Sequence, residues 1–197
     1  MQVLIQVQNL LQIQQQEINL SGQGRNGKTR SKVSTKKASG ESTSNMITAS
    51  GCIFLALDTG RVCMQLRSKK SSHRGTWSFW GGKAEEKERP VETLLRELNE
   101  EIGMLPDFEK IYPLHKFTSA DKRFEYNAFV VTVFEEFTPD TNGESAGYAW
   151  VNLRMYPRPL HQGAKLVLTN PDMIKKIETI WDSKRGVNDL PNWLDSF

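Results

Sequence analysis

Residues 49–57, ASGCIFLAL, are apolar on both of the faces that a strand presents in alternation. A strand without a polar face has to be covered on both sides, which calls for a sheet held between two other layers. Asp58-Thr59-Gly60 then turns the chain into residues 61–68, RVCMQLRS, where Val62, Met64 and Leu66 alternate with Cys63, Gln65 and Arg67. That period of two predicts a strand with one face in the core and one in a wetter place, paired with the first as a hairpin. A basic loop, residues 69–75, leads to the aromatic segment TWSFW and the double glycine Gly81-Gly82.

Pro90 opens a stretch in which Val91, Leu94, Leu95, Leu98 and Ile102 recur at helical spacing until Gly103 ends it. Two strands are predicted around 108–118 and 123–135, the second rich in aromatic and β-branched residues. The turn-rich loop 138–147, TPDTNGESAG, precedes a short strand at 148–152. After the PRPL segment a helix is predicted from Pro171 to about Lys184, with Ile174, Ile177, Ile180 and Trp181 on one side. Strands, helix, strands, helix is the order of an α/β (α+β) fold with a mixed sheet between helices.

The domain is expected to occupy residues 46–197. Residues 1–20 repeat Gln and aliphatics, and residues 21–45 are rich in Gly, Ser, Lys and Thr with no aromatic residue. Such a stretch buries too little apolar surface to offset its ordering entropy, so residues 1–45 are read as a disordered or weakly ordered tail. Met46 stands directly before the first strand as an alternative start, and removal of residues 1–45 is expected to leave activity nearly unchanged. The formal charge of +3 belongs to this tail: it holds six Lys/Arg against two acids, and taking these from totals of 26 and 23 leaves 20 basic and 21 acidic residues in the domain. The pI is therefore no argument for a nucleic-acid-binding surface on the domain.

Cys52 and Cys63 lie in apolar runs and are expected as buried thiols; His73, His115 and His161 have no metal-ligand spacing. Carboxylates are left as the credible metal ligands. No apolar run approaches the roughly 20 residues needed to span a bilayer, no membrane partner is expected, and cytoplasmic residence follows by default.

On the helix that starts at Pro90, 100° per residue places Glu97, Glu100 and Glu101 in an arc of about 100°, apart from the arc of the apolar residues. Three carboxylates on one side repel one another. Either the face is simply solvated, or a hard cation such as Mg²⁺ or Mn²⁺ offsets the charge.

The wider spacing decides between these. Gly82, five residues, Glu88, seven residues, then Arg96-Glu97-Leu98-Asn99-Glu100-Glu101-Ile102-Gly103-Met104 resembles the Nudix box, G-x5-E-x7-R-E-U-x-E-E-x-G-U, at every defined position. A chance match to seven fixed and two apolar positions has a probability on the order of 10⁻⁸ at average composition. The resemblance implies a Nudix-type α/β/α sandwich. It further implies that Glu97, Glu100 and Glu101 bind divalent metal, Mg²⁺ or Mn²⁺, that Glu88 supports the loop by pairing with Arg96, and that Gly81 or Gly82 lends a backbone carbonyl. The general base is a box glutamate or one from a later loop, with Glu144 the outside candidate and Glu125 a weaker one. One position departs from the family, which commonly has proline where Trp80 stands in TWSFWGG.

Two sets of residues outside the box are substrate-binding candidates. Trp80, with Trp77 and Phe79, offers base stacking, against a competing place in the core. Arg67 and Arg74 offer phosphate contacts, against a merely solubilising role. The resemblance implies a pyrophosphohydrolase acting on a nucleoside diphosphate derivative such as ADP-ribose, a dinucleoside polyphosphate, FAD or a nucleotide sugar. Nucleoside triphosphates and 5′ RNA ends are alternatives, as are a nucleotide sensor without turnover and a homodimeric assembly. An isoprenoid diphosphate isomerase would need a catalytic cysteine that Cys52 and Cys63 do not suggest. The SQPWPFPxS run of NADH-cleaving members is absent, and the coenzyme A-type pattern is met only in fragments (Leu66-Arg67-Ser68, Gly75, Phe79).

Overall fold

A computed structural model describes residues 46–188. The expectation of a tail over residues 1–45 lies outside the described residues. In chain order the elements are β1 (Ile47–Ala56), β2 (Arg61–Arg67), β3 (Trp77–Ser78), β4 (Trp80–Lys83), α1 (Pro90–Ile102), β5 (Phe108–Thr118), β6 (Phe124–Val133), β7 (Ser145–Asn152), α2 (Gln162–Leu168) and α3 (Pro171–Asn188).

The sheet is mixed, as the order of elements predicts. β1 runs parallel to β6 along its whole length, from Ile47↔Phe124 to Ala56↔Val133, while β2, β4, β5 and β7 pair antiparallel to their neighbours. On its other edge β1 meets β2 only at its end, at Phe54↔Cys63 and Leu55↔Val62. The two strands then part, and β3 and β4 fill the wedge, Gln65 pairing with Ser78 and Cys52 with Trp80. The short aromatic segment thus supplies two strand pieces that composition alone does not announce. The functional site is built against this wedge.

Both faces of the sheet are covered. Ile53, Leu55, Val62, Met64 and Val130 form one buried cluster with Ala164, Val167, Leu168, Ile174 and Ile177 of α2 and α3. Against β1 and β4 on the other side lies α1, whose Leu94, Leu98 and Ile102 are fully buried. Burying a side chain of this size contributes roughly 1.5–3 kcal/mol, so α1 is held to the sheet chiefly by these three residues. The seven-residue helix α2 was not expected; it is short enough that its apolar positions do not complete a recognisable period.

Two further readings are corrected. Cys63 and Gln65, expected on a wetter face of β2, are both buried, at 0% and 1% exposure: Gln65 lies against Glu101 of α1, and Cys63 beside Trp80 of β4. Trp80 is fully buried at 0% exposure and pairs through its backbone with Cys52, so its indole has no free face on which to stack a base. Phe79 is buried too, and Trp77 packs against the core; for this segment the core account holds. The thiols of Cys52 and Cys63 are free and buried as expected, and burial pushes the Cys63 thiol up to about 12, a poor nucleophile.

Candidate active site

Helix α1 starts abruptly. Arg89 is extended at the N-cap, Pro90 follows at the first helical position, and the Glu92 carboxylate accepts from the Arg89 backbone N–H at 2.8 Å. Its far end is closed from another part of the chain: in the loop before β7, Asn142 donates its side-chain amide to the Glu100 carbonyl at 2.9 Å and its backbone N–H to the Glu101 carbonyl at 3.2 Å. These are helix-end acceptors that have no partner within the helix.

Arg96 organises the loop ahead of the helix. Its Nε donates to Glu88 Oε1 at 2.7 Å, one terminal nitrogen to Glu88 Oε2 at 3.1 Å and to the Lys83 carbonyl at 2.8 Å. The other terminal nitrogen donates to Glu97 Oε1 at 3.0 Å and reaches Glu100 at 3.4 Å. The Arg96 guanidinium holds the Glu88 carboxyl down at about 2, so this pair is charged at any working pH. Arg96 and Glu88 thereby tie the loop 83–88 to the middle of α1.

Glu97 and Glu101 carry the opposite perturbation. Burial raises both carboxyls, Glu101 to about 7, with Glu97 and Glu144 adding repulsion at Glu101, and Glu100 and Glu144 at Glu97. Glu101 is 4% exposed. The helical wheel explains why: seven residues after Leu94, it lies within about 20° of a core leucine, at the seam between the acid and apolar arcs. Its Oε1 accepts from Gln65 Nε2 at 3.0 Å and its Oε2 from the Gly81 backbone N–H at 2.7 Å. Glu100 stays exposed.

Glu144 is brought to the same acidic neighbourhood by its backbone. Its carbonyl accepts from the Ser68 N–H at 2.8 Å and from Ser71 Oγ at 2.7 Å, and its N–H donates to Asn142 Oδ1 at 2.9 Å. Arg67, Lys70, Ser71 and Ser72 line, together with Asn142, Gly143 and Glu144, a groove of about 540 Å³. Arg67 is steadied there by donating from Nε to the Ser72 carbonyl at 2.7 Å. Arg74 is exposed in the turn and does not line this groove. Glu125 is bound to Lys116 at 2.9 Å and to Asn127 at 3.1 Å rather than to the box glutamates.

The arrangement suits a hard divalent cation in its donor chemistry. Carboxylates are crowded enough to disfavour one another's charged forms, and Gly82 is packed so closely on Glu97 that a Cβ would run into the Glu97 carboxylate. Glu97, Glu100 and Glu101, with the Gly82 carbonyl, are the oxygens such a cation could use. The set is not a finished cage: among the described residues no three acidic, histidine or cysteine side chains converge as metal ligands. Glu97 and Glu100 lean on Arg96, and Glu101 on Gln65 and Gly81.

Gln65 and Asn142 escaped the reading of the sequence. For Gln65 the signal was present, a lone amide at alternate spacing from a buried cysteine. Nothing in TPDTNGESAG singles out Asn142, since its partners come from α1, forty-two residues earlier along the chain for its side-chain bond.

Residues 46–170 match the family model for the NUDIX domain. An 8-oxo-dGTP diphosphatase of Proteus vulgaris is 55% identical over 43 residues, which is 22% of this chain and 38% of that protein, so well under two thirds of that relative's length is matched. Among solved structures, a Nudix hydrolase from M. smegmatis, RenU, superposes with a TM-score of 0.53 at 18% identity, covering 68% of this chain and 86% of that one. A MutT protein from Methanosarcina mazei Go1 gives 0.52 at 20% identity, over 71% of this chain and 97% of that one. At such identities the structural likeness speaks for the fold alone. Among the described residues no helix is long and apolar enough to cross a membrane.

Proposed function

The chain belongs to the NUDIX family, and from that premise we propose that it is a divalent-metal-dependent pyrophosphohydrolase that cleaves a diphosphate linkage in a nucleoside diphosphate derivative, acting in the cytoplasm. The observation that carries the reading is the acidic pocket itself: buried Glu101 beside partly buried Glu97, with exposed Glu144 near both, the first two carboxyls raised by burial and by their acidic neighbours. Stability alone does not account for like charges gathered beside a core helix. When bound, a divalent cation supplies charge neutralisation on the diphosphate and a more acidic water.

The protein's own contribution is positional. Glu97, Glu100 and Glu101 present oxygens from one side of a rigid helix, and Arg96 with Glu88 keeps the preceding loop in place. Glu144, as general base, takes the proton of the attacking water from the opposite wall. Arg67 and Lys70 line the same groove as Glu144, where they bind the phosphate not under attack.

A second reading, hydrolysis of a nucleoside triphosphate, draws support from the likeness to the diphosphatase of Proteus vulgaris. Both are tested by incubating the full chain with Mg²⁺ or Mn²⁺ and ADP-ribose, diadenosine polyphosphate, FAD, a nucleotide sugar, 8-oxo-dGTP and 5′-triphosphorylated RNA, following nucleoside monophosphate and phosphate release. Turnover of a diphosphate-linked compound supports the first reading, and turnover of the triphosphates alone supports the second. Tight nucleotide binding with no turnover of any compound points to a sensor and rejects both.

A further inference from the structure

Gln65 is 1% exposed, in β2, whose backbone is engaged on both edges at this residue, by Ser78 of β3 and Tyr148 of β7. Its Nε2 donates to Glu101 Oε1 at 3.0 Å and lies 3.4 Å from the Phe79 carbonyl. Glu101 Oε2 accepts from the Gly81 N–H at 2.7 Å. Each oxygen of this carboxylate therefore has one fixed donor, which sets the plane of the group. One donor is the double-glycine strand and the other is Gln65.

The residue type matters as much as the place. A Lys or Arg at position 65 would neutralise Glu101 and compete with any cation it serves, and an apolar side chain would leave Oε1 buried without a donor. A neutral amide satisfies the oxygen and leaves the negative charge in place. Changing groups behind metal ligands that fix their orientation in this way typically costs about 10- to 100-fold in metal affinity or activity.

We propose that Gln65 is a positioning residue for metal: it holds Glu101 in the orientation in which the carboxylate binds a divalent cation, without itself touching cation or substrate. The proposal rests on the functional reading above and extends it to a residue outside the box. It predicts that position 65 controls metal affinity and kcat, and leaves KM for the nucleotide alone.

The test uses the full chain with Gln65→Met, which keeps shape and removes the donor, and Gln65→Lys, which adds charge. Mn²⁺ binding to the substrate-free protein is measured by titration calorimetry, and kcat and KM are measured on the panel substrate that the wild type turns over. Gln65→Met is expected to weaken Mn²⁺ binding and lower kcat by about 10- to 100-fold with KM within about twofold. In a Glu101→Gln background the same change should cost less than about twofold, since the group it orients is gone. Gln65→Lys should abolish measurable Mn²⁺ binding at the site. Folded Gln65→Met with wild-type Mn²⁺ affinity overturns the proposal. Should neither variant fold, the wild-type side-chain amide resonances of Gln65 decide: a shift on addition of Mg²⁺ supports it, and indifference to saturating Mg²⁺ overturns it. Wild-type protein that neither binds Mn²⁺ nor turns over any substrate instead removes the functional reading beneath it, a result distinct from failure at Gln65 alone.

Discussion

Asn142 donates its side-chain amide to the carbonyl of Glu100 at 2.9 Å, so the loop ahead of β7 closes the end of the helix that carries the box acids. The same residue accepts from the Glu144 N–H at 2.9 Å. One side chain thus ties the proposed base to the proposed metal ligands. Asn142→Ala removes both side-chain bonds. It is expected to cost about 1 kcal/mol of stability in urea unfolding. It should also lower kcat about tenfold through displacement of Glu144. Loss of stability with unchanged kcat would mean that Glu144 does not depend on this link, or does not take part.

Glu101 and Glu100 make a contrasting pair on the same helix. Glu101 is buried and its carboxyl is raised, whereas Glu100 is exposed. Glu101→Gln and Glu100→Gln are each expected to lower kcat by at least about 10²-fold, because a charge that neutralises cation and orders the attacking water is lost. Only Glu101→Gln should also raise Tm, by a few degrees in the presence of chelator, since it removes a buried charge that the fold tolerates at a cost in stability. Wild-type turnover in both variants would sink the assignment of the box as the active centre.

The helix bearing these acids was legible in the sequence because Leu94, Leu98 and Ile102 share a face and Pro90 and Gly103 bound it. β1 was legible because a strand apolar on both faces admits one environment. What escaped was the boundary between faces. Glu101 lies close to the angular position of Leu94, and the count of acids on one side hid that it enters the core. Gln65 was assigned by its period to a wet face, and the period was right: it is on the face away from Met64. Which layer covers that face is decided by α1, and no local pattern in β2 carries that information. Trp80 shows the same limit in reverse, an aromatic residue beside the site whose strand pairing with Cys52 turns it inward.

His161 lies at the N-cap of α2, where its Nδ1 accepts from the Gly163 N–H at 3.3 Å. Burial, with Arg67 and His73 nearby, lowers its imidazole from the ordinary 6.5 to about 4; the His73 ring packs edge to face at 5.0 Å. The unfolded chain therefore takes up a proton near pH 6.5 that the folded chain refuses until about pH 4. Linkage then makes stability fall as pH is lowered through that window, and it is fully present above it. His161→Asn keeps a cap acceptor and does not titrate. Its urea midpoint should decline less than that of the wild type between pH 7 and pH 4. Parallel declines would show that His161 is not the group responsible.

Gly82 is packed directly against a box acid. A Cβ there would collide with the Glu97 carboxylate, and the backbone cannot yield because Gly82 pairs with Ser50 in the sheet. Gly82→Ala should therefore cost about 1–3 kcal/mol as overpacking and push Glu97 off its place beside Arg96. Turnover should fall by more than about tenfold, by the same reasoning that makes small displacements of positioned groups expensive. Adding Glu97→Ala to Gly82→Ala makes room for the new methyl group, so the double variant should regain most of the stability lost by the first change while turnover stays low. A double variant that stays as unstable as Gly82→Ala would place the strain elsewhere in the β1–β4 pair, and one that recovered turnover would remove Glu97 from the catalytic set.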